Sequence, residues 1–225
     1  MLTLLRTLSL LLIATVPAFG LHENCRPISD AFRSSSSQPA CRCFTTGLRA
    51  DATGDTTWIG CTQKNLLDLH ASLDALPNAT SVSKLWMWDC SLPVLIPALF
   101  TKVRPITLKI ESSTTRKWAM GVFDQLAGRL KHLELKHNQV LDLNSESFAK
   151  LKHLIRLDLS DNNVSKLSPS SLGVLPSLRQ LYLQKNEIKT IEDDTFVGME
   201  HLRHLSLAHN KIAIITKRTR APSRT

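Results

Sequence analysis

Four stretches decide the fold: LKHLELKHNQV (130–140), LIRLDLSDNNV (154–164), LRQLYLQKNEI (178–188) and LRHLSLAHNKI (202–212). They recur at one constant spacing, and each opens on a leucine: Leu130, Leu154, Leu178 and Leu202. Leucine returns at the fourth and sixth positions of each stretch (Leu133/Leu135, Leu157/Leu159, Leu181/Leu183, Leu205/Leu207). Asparagine follows at Asn138, Asn162, Asn186 and Asn210, and each stretch closes on an aliphatic, Val140, Val164, Ile188 and Ile212. Four unbroken copies at a fixed period mark a repeat array.

The alternation of the paired leucines has period two, so both point to one face of a short strand. One 24-residue unit cannot bury that face alone, and neighbouring units must stack and share a core. Successive strands then lie parallel, about 4.8 Å apart, in one curved sheet. The asparagine stands where the chain turns off the strand, and its amide has donors and an acceptor for the backbone of adjacent turns. A second apolar column, Phe148, Leu172 and Phe196, falls at the same offset from each opening leucine and closes the far side of the core.

The register continues upstream in worn form. VSKLWMWDCSL (82–92) holds Leu85, Met87 and Leu92 at the apolar positions, with Cys90 in place of asparagine. PITLKIESSTT (105–115) holds Leu108 and Ile110, with Ser113 at the asparagine site and Thr115 beyond it. Phe100 and Phe123 keep the offset of the second column from Val82 and Pro105. The array therefore has six units over 76–215, the first two degraded.

These motifs resemble the extracellular leucine-rich repeat in its 24-residue form. The resemblance implies an α/β solenoid, a horseshoe with a parallel β-sheet on its concave face. Ahead of the array, residues 21–75 carry Cys25, Cys41, Cys43 and Cys61. An even set in an exported chain implies two disulfides, with three pairings possible. The order C…C-x-C…C resembles the N-terminal cap of extracellular leucine-rich-repeat proteins, and that resemblance implies Cys25–Cys43 and Cys41–Cys61. A zinc site is the rival for such a cluster, but a lone C-x-C in an oxidising compartment argues against it. The segment SDAFRSSSSQPA (29–40) reads as a Ser-rich flexible loop. Cys90 is left over, and its place at the asparagine site makes it a buried, unpaired thiol.

The stretch 1–20 reads as a secretory leader. Arg6 precedes the apolar run Leu8 to Val16, and Ala18-Phe19-Gly20 supplies small residues for cleavage after Gly20. The run is short for a bilayer span, and nothing later is long and apolar enough to be one. Of the formal charge of +9, one unit belongs to Arg6 and four to Lys217, Arg218, Arg220 and Arg224, leaving +4 on residues 21–215. So modest a field on a secreted body argues against nucleic acid. An anionic matrix sugar, bound through the tail at 216–225, is a minor alternative. The tail has no apolar pattern and reads as disordered. No cysteine follows Cys90 to form a C-terminal cap, so a truncated record or an alternative transcript is the favoured explanation of the ending.

Binding chemistry falls to the strand residues between the leucines, which point out of the concave face. The column between the paired leucines reads Trp86, Lys109, Glu134, Asp158, Tyr182, Ser206. Trp88, Glu111, Lys136, Ser160, Gln184 and Ala208 follow on one flank, and Lys84, Thr107, His132, Arg156, Gln180 and His204 lie on the other. This face is mixed in charge and carries aromatic anchors, as protein-recognition surfaces do. The candidate protein-binding residues are Trp86, Trp88, Lys109, Glu134, Arg156, Asp158 and Tyr182. Trp86 and Trp88 could equally pack on the cap. Sequons at Asn78-Ala79-Thr80 and Asn163-Val164-Ser165 are candidate N-glycosylation sites. His132 with Glu134, and His137 with Asp161, invite a metal reading that a flat ladder supports poorly. Glu134 and Asp158 read as solvated carboxylates, poor general acids. No nucleophile motif, phosphate loop or cofactor signature is present. The chain reads as a non-enzyme without cofactor: an extracellular protein-binding module of adhesion, matrix or receptor type. The alternatives are an ectodomain piece of a Toll-like or neuronal receptor and a structural matrix component.

Overall fold

The computed structural model describes residues 25–35, 39–45 and 57–215. The leader expected over 1–20 and the basic tail over 216–225 lie outside the described residues. The main sheet has eight strands: β1 (Cys41–Thr45), β2 (Thr57–Thr62), β3 (Thr80–Trp88), β4 (Val103–Glu111), β5 (His132–Glu134), β6 (Arg156–Asp158), β7 (Gln180–Tyr182) and β8 (His204–Ser206). They follow one another in chain order across the sheet. β1 runs antiparallel to β2, and every later neighbour is parallel. Register follows the repeat frame: Leu85 faces Leu108, Leu108 faces Leu133, Leu133 faces Leu157, and Leu157 faces Leu181.

Stacking seals the leucines. Leu133, Leu135, Leu157, Leu159, Leu181 and Leu183 are fully buried, each contributing about 1.5–3 kcal/mol by leaving water. On the far side Phe100, Phe123 and Phe148 form a row with centroids 6.3 and 6.0 Å apart, and Trp118 sets its ring edgewise on Phe148 at 5.7 Å. Short 3₁₀ turns (Pro97–Phe100, Asp124–Leu126, Ser145–Ser147) and one helical turn (Pro169–Leu172) build the convex side.

The asparagine column works as a ladder. Asn162 donates to Leu135 O (2.9 Å) in the preceding unit and to Leu159 O (3.0 Å) in its own, while its Oδ1 accepts from Val140 N (3.0 Å). Asn186 and Asn210 repeat this pattern one and two units on. The residue before each asparagine takes a left-handed φ: His137 52°, Asp161 53°, Lys185 54° and His209 56°. That geometry aims the amide inward. In the worn units the substitutes do part of the job. Ser113 accepts from Cys90 N at 3.0 Å and donates to Glu111 O. Cys90 is free and buried, its thiol 3.3 Å from Trp88 O, and burial pushes its pKa up. Where the worn unit meets the first regular one, Asn138 Oδ1 and Thr115 Oγ1 are buried without a hydrogen-bond partner.

The cap is joined by Cys25–Cys43 and Cys41–Cys61. β2 already has the geometry of a repeat strand: Ile59 and Cys61 point into the core opposite Leu85 and Met87, and Gln63 takes a φ of 53°. The segment expected to be a loop over 29–40 is helical as far as Ser35. Residues Arg26–Ser35 form a helix, α1, which buries Ile28 and Phe32 at helical i, i+4 spacing. Pro27 sits in its first turn, where a missing N–H costs nothing. Two buried apolar anchors outweigh the weak helix preference of the serines.

Candidate functional site

Each strand presents its alternate residues to the concave face, and the parallel register turns the predicted columns into continuous rows. Trp86 faces Lys109, Lys109 faces Glu134, Glu134 faces Asp158, and Asp158 faces Tyr182. The cap adds Trp58, Gly60 and Thr62 to the three rows, beside Lys84, Trp86 and Trp88.

At the cap end the rows make an aromatic platform. Phe44 stacks on Trp58 with centroids 4.2 Å apart, Trp58 lies 6.0 Å from Trp86, and Trp86 lies 4.7 Å from Trp88. Both places considered for the tryptophans are therefore occupied together: they line the open face and pack on cap aromatics, half-buried. Gly60 makes room for this. A Cβ there would lie 2.9 Å from Trp58 Cζ3, 3.0 Å from Phe44 Cε2 and 3.2 Å from Trp88 Cζ3. Cations lie over the rings, with Lys109 Nζ 5.1 Å from Trp86 and Lys84 Nζ 5.6 Å from Trp58.

Beyond the platform lies a zipper of opposite charges. Glu111 accepts from Trp86 Nε1 at 3.0 Å and pairs with Lys109 at 3.1 Å and Lys136 at 2.9 Å. Burial pushes its carboxyl up, but the two lysines outweigh burial and hold it below the usual glutamate range. Lys136 is raised correspondingly, first by its hydrogen bond to Glu111. Arg156 is held on every side. Nη2 meets Asp158 at 2.9 Å, Nη1 meets Gln180 at 3.2 Å, and its plane lies 4.3 Å over Tyr182. Nε lies 3.3 Å from Glu134 Oε1, an ion pair without hydrogen-bond alignment.

Asp158 departs from expectation. It is 4% exposed rather than solvated, and its Oδ1 accepts from Ser160 N (3.1 Å) and Oγ (2.6 Å). These donors and Arg156 satisfy the carboxylate, which explains how a charge tolerates this burial. Half-buried His132 has its pKa lowered by desolvation. His137 Nδ1 stands 3.7 Å from Asp161. Among the described residues no group of three or more His, Cys, Asp or Glu side chains could hold a metal ion. Asn78 and Asn163 are exposed.

All seven candidate residues fall on this one face. Sequence reasoning missed Phe44, Trp58 and Gly60, and it left Glu111 and Lys136 among the flanking columns. The signal for the cap members was present in TWIGCTQK (57–64), where Ile59 and Cys61 repeat the alternation of Leu85 and Met87.

Comparison with known proteins agrees with this architecture. The leucine-rich-repeat family model matches residues 128–188 and 176–220. P-granule-associated novel protein 1 of Caenorhabditis elegans is 27% identical over 152 residues, covering 66% of this chain and 25% of its own length. Among solved structures, a chain of the octameric complex of latrophilin 3, Unc5D and FLRT2 (its leucine-rich-repeat part) superposes with a TM-score of 0.54 and 21% identity. The match covers 67% of this chain and 43% of that one. An internalin, InlF, of Listeria monocytogenes superposes with a TM-score of 0.49 and 18% identity, over 71% of this chain and 43% of its own. The chain thus spans about a quarter of the curated relative and under half of each solved chain. With the repeat frame, the asparagine ladder and the disulfide-joined cap in place, the chain has the leucine-rich-repeat fold with a cysteine-rich N-terminal cap, and the family model matches it over residues 128–220.

Proposed function

We propose that the chain is an extracellular recognition module that takes a protein ligand on its concave sheet, without catalysis. The carrying observation is the aromatic platform beside a charge zipper, Trp58–Trp86–Trp88 against Lys109, Glu111, Glu134 and Arg156. Stacked rings offer apolar area that is already ordered, and paired charges hold long side chains in place. Both reduce the entropy lost on association. Tryptophan, tyrosine and arginine at the centre of such a face are the residue types that dominate binding energy.

The two disulfides fit an oxidising compartment. No helix among the described residues is long and apolar enough to cross a membrane. On this reading residues 1–20 are a cleaved leader, and Asn78 and Asn163 carry glycans. The test is a binding screen against extracellular protein domains, followed by Trp86→Ala and Tyr182→Ala on any saturable partner. Each substitution is expected to weaken affinity at least tenfold, about 1.4 kcal/mol. A genuine partner that binds both variants unchanged would remove the concave face from consideration.

A further inference from the structure

On the concave face Lys109, Lys136 and Arg156 all meet carboxylates. The edge of the sheet where the chain enters its strands is different. A groove of about 470 Å³ runs along it, rimmed by Arg129, Lys131, His153, Arg179 and His201 and floored by Ile106 and Ile155. No residue lining it carries a carboxylate. Lys131 and Arg179 pair with no acidic group among the described residues.

The repeat spaces these charges. Lys131 N donates to Ile106 O (2.9 Å), Ile155 N to Lys131 O (2.7 Å), Arg179 N to Ile155 O (2.8 Å) and Arg203 N to Arg179 O (2.9 Å). Lys131, Arg179 and Arg203 therefore stand in one column, the first two lining the groove and Arg203 continuing the row beyond its end. At roughly 4.8 Å per strand, Arg179 lies two steps from Lys131 and Arg203 one step further. His153, Arg179, His201 and Arg203 are exposed.

We propose that this edge groove is a docking site for a sulfated polysaccharide, separate from the concave protein-binding face. A row of cations set at multiples of the strand spacing, with no paired carboxylate among the described residues, matches a linear polyanion, and guanidinium forks suit sulfate oxygens. No tryptophan, tyrosine or phenylalanine lines the groove, so the bases of a single-stranded nucleic acid would find only the rings of His153 and His201 to stack on. The disulfide-joined cap places the chain in the compartment where sulfated polymers occur. Exposed Asn163 lies on the turn that leaves the strands, at the opposite edge, so a glycan there leaves the groove open.

The test measures a heparin-derived oligosaccharide binding to the full chain over a salt series. Lys131→Gln/Arg179→Gln/Arg203→Gln is compared with Lys166→Gln/Lys185→Gln/Lys211→Gln, which removes the same charge from exposed lysines outside the groove. The groove triple is expected to bind about tenfold more weakly with a shallower salt dependence, and the control triple within about twofold of the parent. Equal losses in the two triples would show that net charge alone is responsible, and would overturn the site. Tighter groove-dependent binding of a single-stranded RNA of equal charge would overturn the polymer class. On the unsubstituted protein, the oligosaccharide should shield Arg179 and Arg203 from an arginine-specific reagent read by mass spectrometry. Unchanged labelling would likewise refute the proposal, whatever the stability of the variants.

Discussion

Replacing Asn162 by alanine tests the ladder most directly, because the structure supplies its own control in Asn138. Asn162 is 6% exposed and donates to Leu135 O, Leu159 O and Ser160 O, while its Oδ1 accepts from Val140 N. Truncation leaves the carbonyls partly served. Leu135 O keeps Asn138 (3.1 Å) and Leu159 O keeps Asn186 (2.9 Å). The N–H of Val140, a residue wholly out of contact with water, loses its acceptor. An orphaned buried donor costs about 1–3 kcal/mol, and the lost donor bonds add about 1 kcal/mol, so Asn162→Ala should destabilise by about 3 kcal/mol. Asn138 donates in the same way, to Ile110 O, Leu135 O and Lys136 O, but its Oδ1 accepts from nothing. Asn138→Ala orphans no amide and should cost roughly 1–2 kcal/mol less. In urea denaturation followed by circular dichroism, the Asn162 variant should unfold about half a molar or more below the Asn138 variant at similar slopes. Equal midpoints, or the reverse order, would refute the claim that the accepted amide dominates the rung.

Acid should weaken the fold in two windows. A depressed His132 lets the unfolded chain bind the extra proton, so stability falls as pH drops through about 6.5, and His132→Gln should flatten that slope in thermal melts. Glu111 is held below 4.5, so its contribution is present above that value and is lost as pH falls further; Glu111→Gln should remove part of this second slope. Breaking Cys41–Cys61 with Cys41→Ser/Cys61→Ser should cost about 2–5 kcal/mol, read as a drop in the denaturation midpoint, since it frees the cap strand that covers the first unit. Cys90 should resist an aromatic disulfide reagent in the native protein and react as one thiol in denaturant, and prompt native labelling would contradict its burial.

The sequence by itself determined the unit length, the strand register, the buried leucine and phenylalanine columns, and the inward place of each asparagine. Those features are periodic, and a stack translates period directly into position: Leu133, Leu157 and Leu181 must neighbour one another once the units share a core. It also placed the seven candidate residues on one face, because alternation settles which side of a strand a side chain takes. Tertiary structure alone decided what meets what across that face. Asp158 looked solvated because its column was legible, but the arginine and serine that enclose it were not. The aromatic platform needed β2 to join the sheet in register, which places Gly60 beneath three rings. Helix α1 lay hidden in a serine-rich run because its two anchors, Ile28 and Phe32, matter only against a core built elsewhere in the chain. The basic edge groove has the same origin. Lys131, Arg179 and Arg203 belong to different repeats, far apart along the chain, and only stacking sets them in one row.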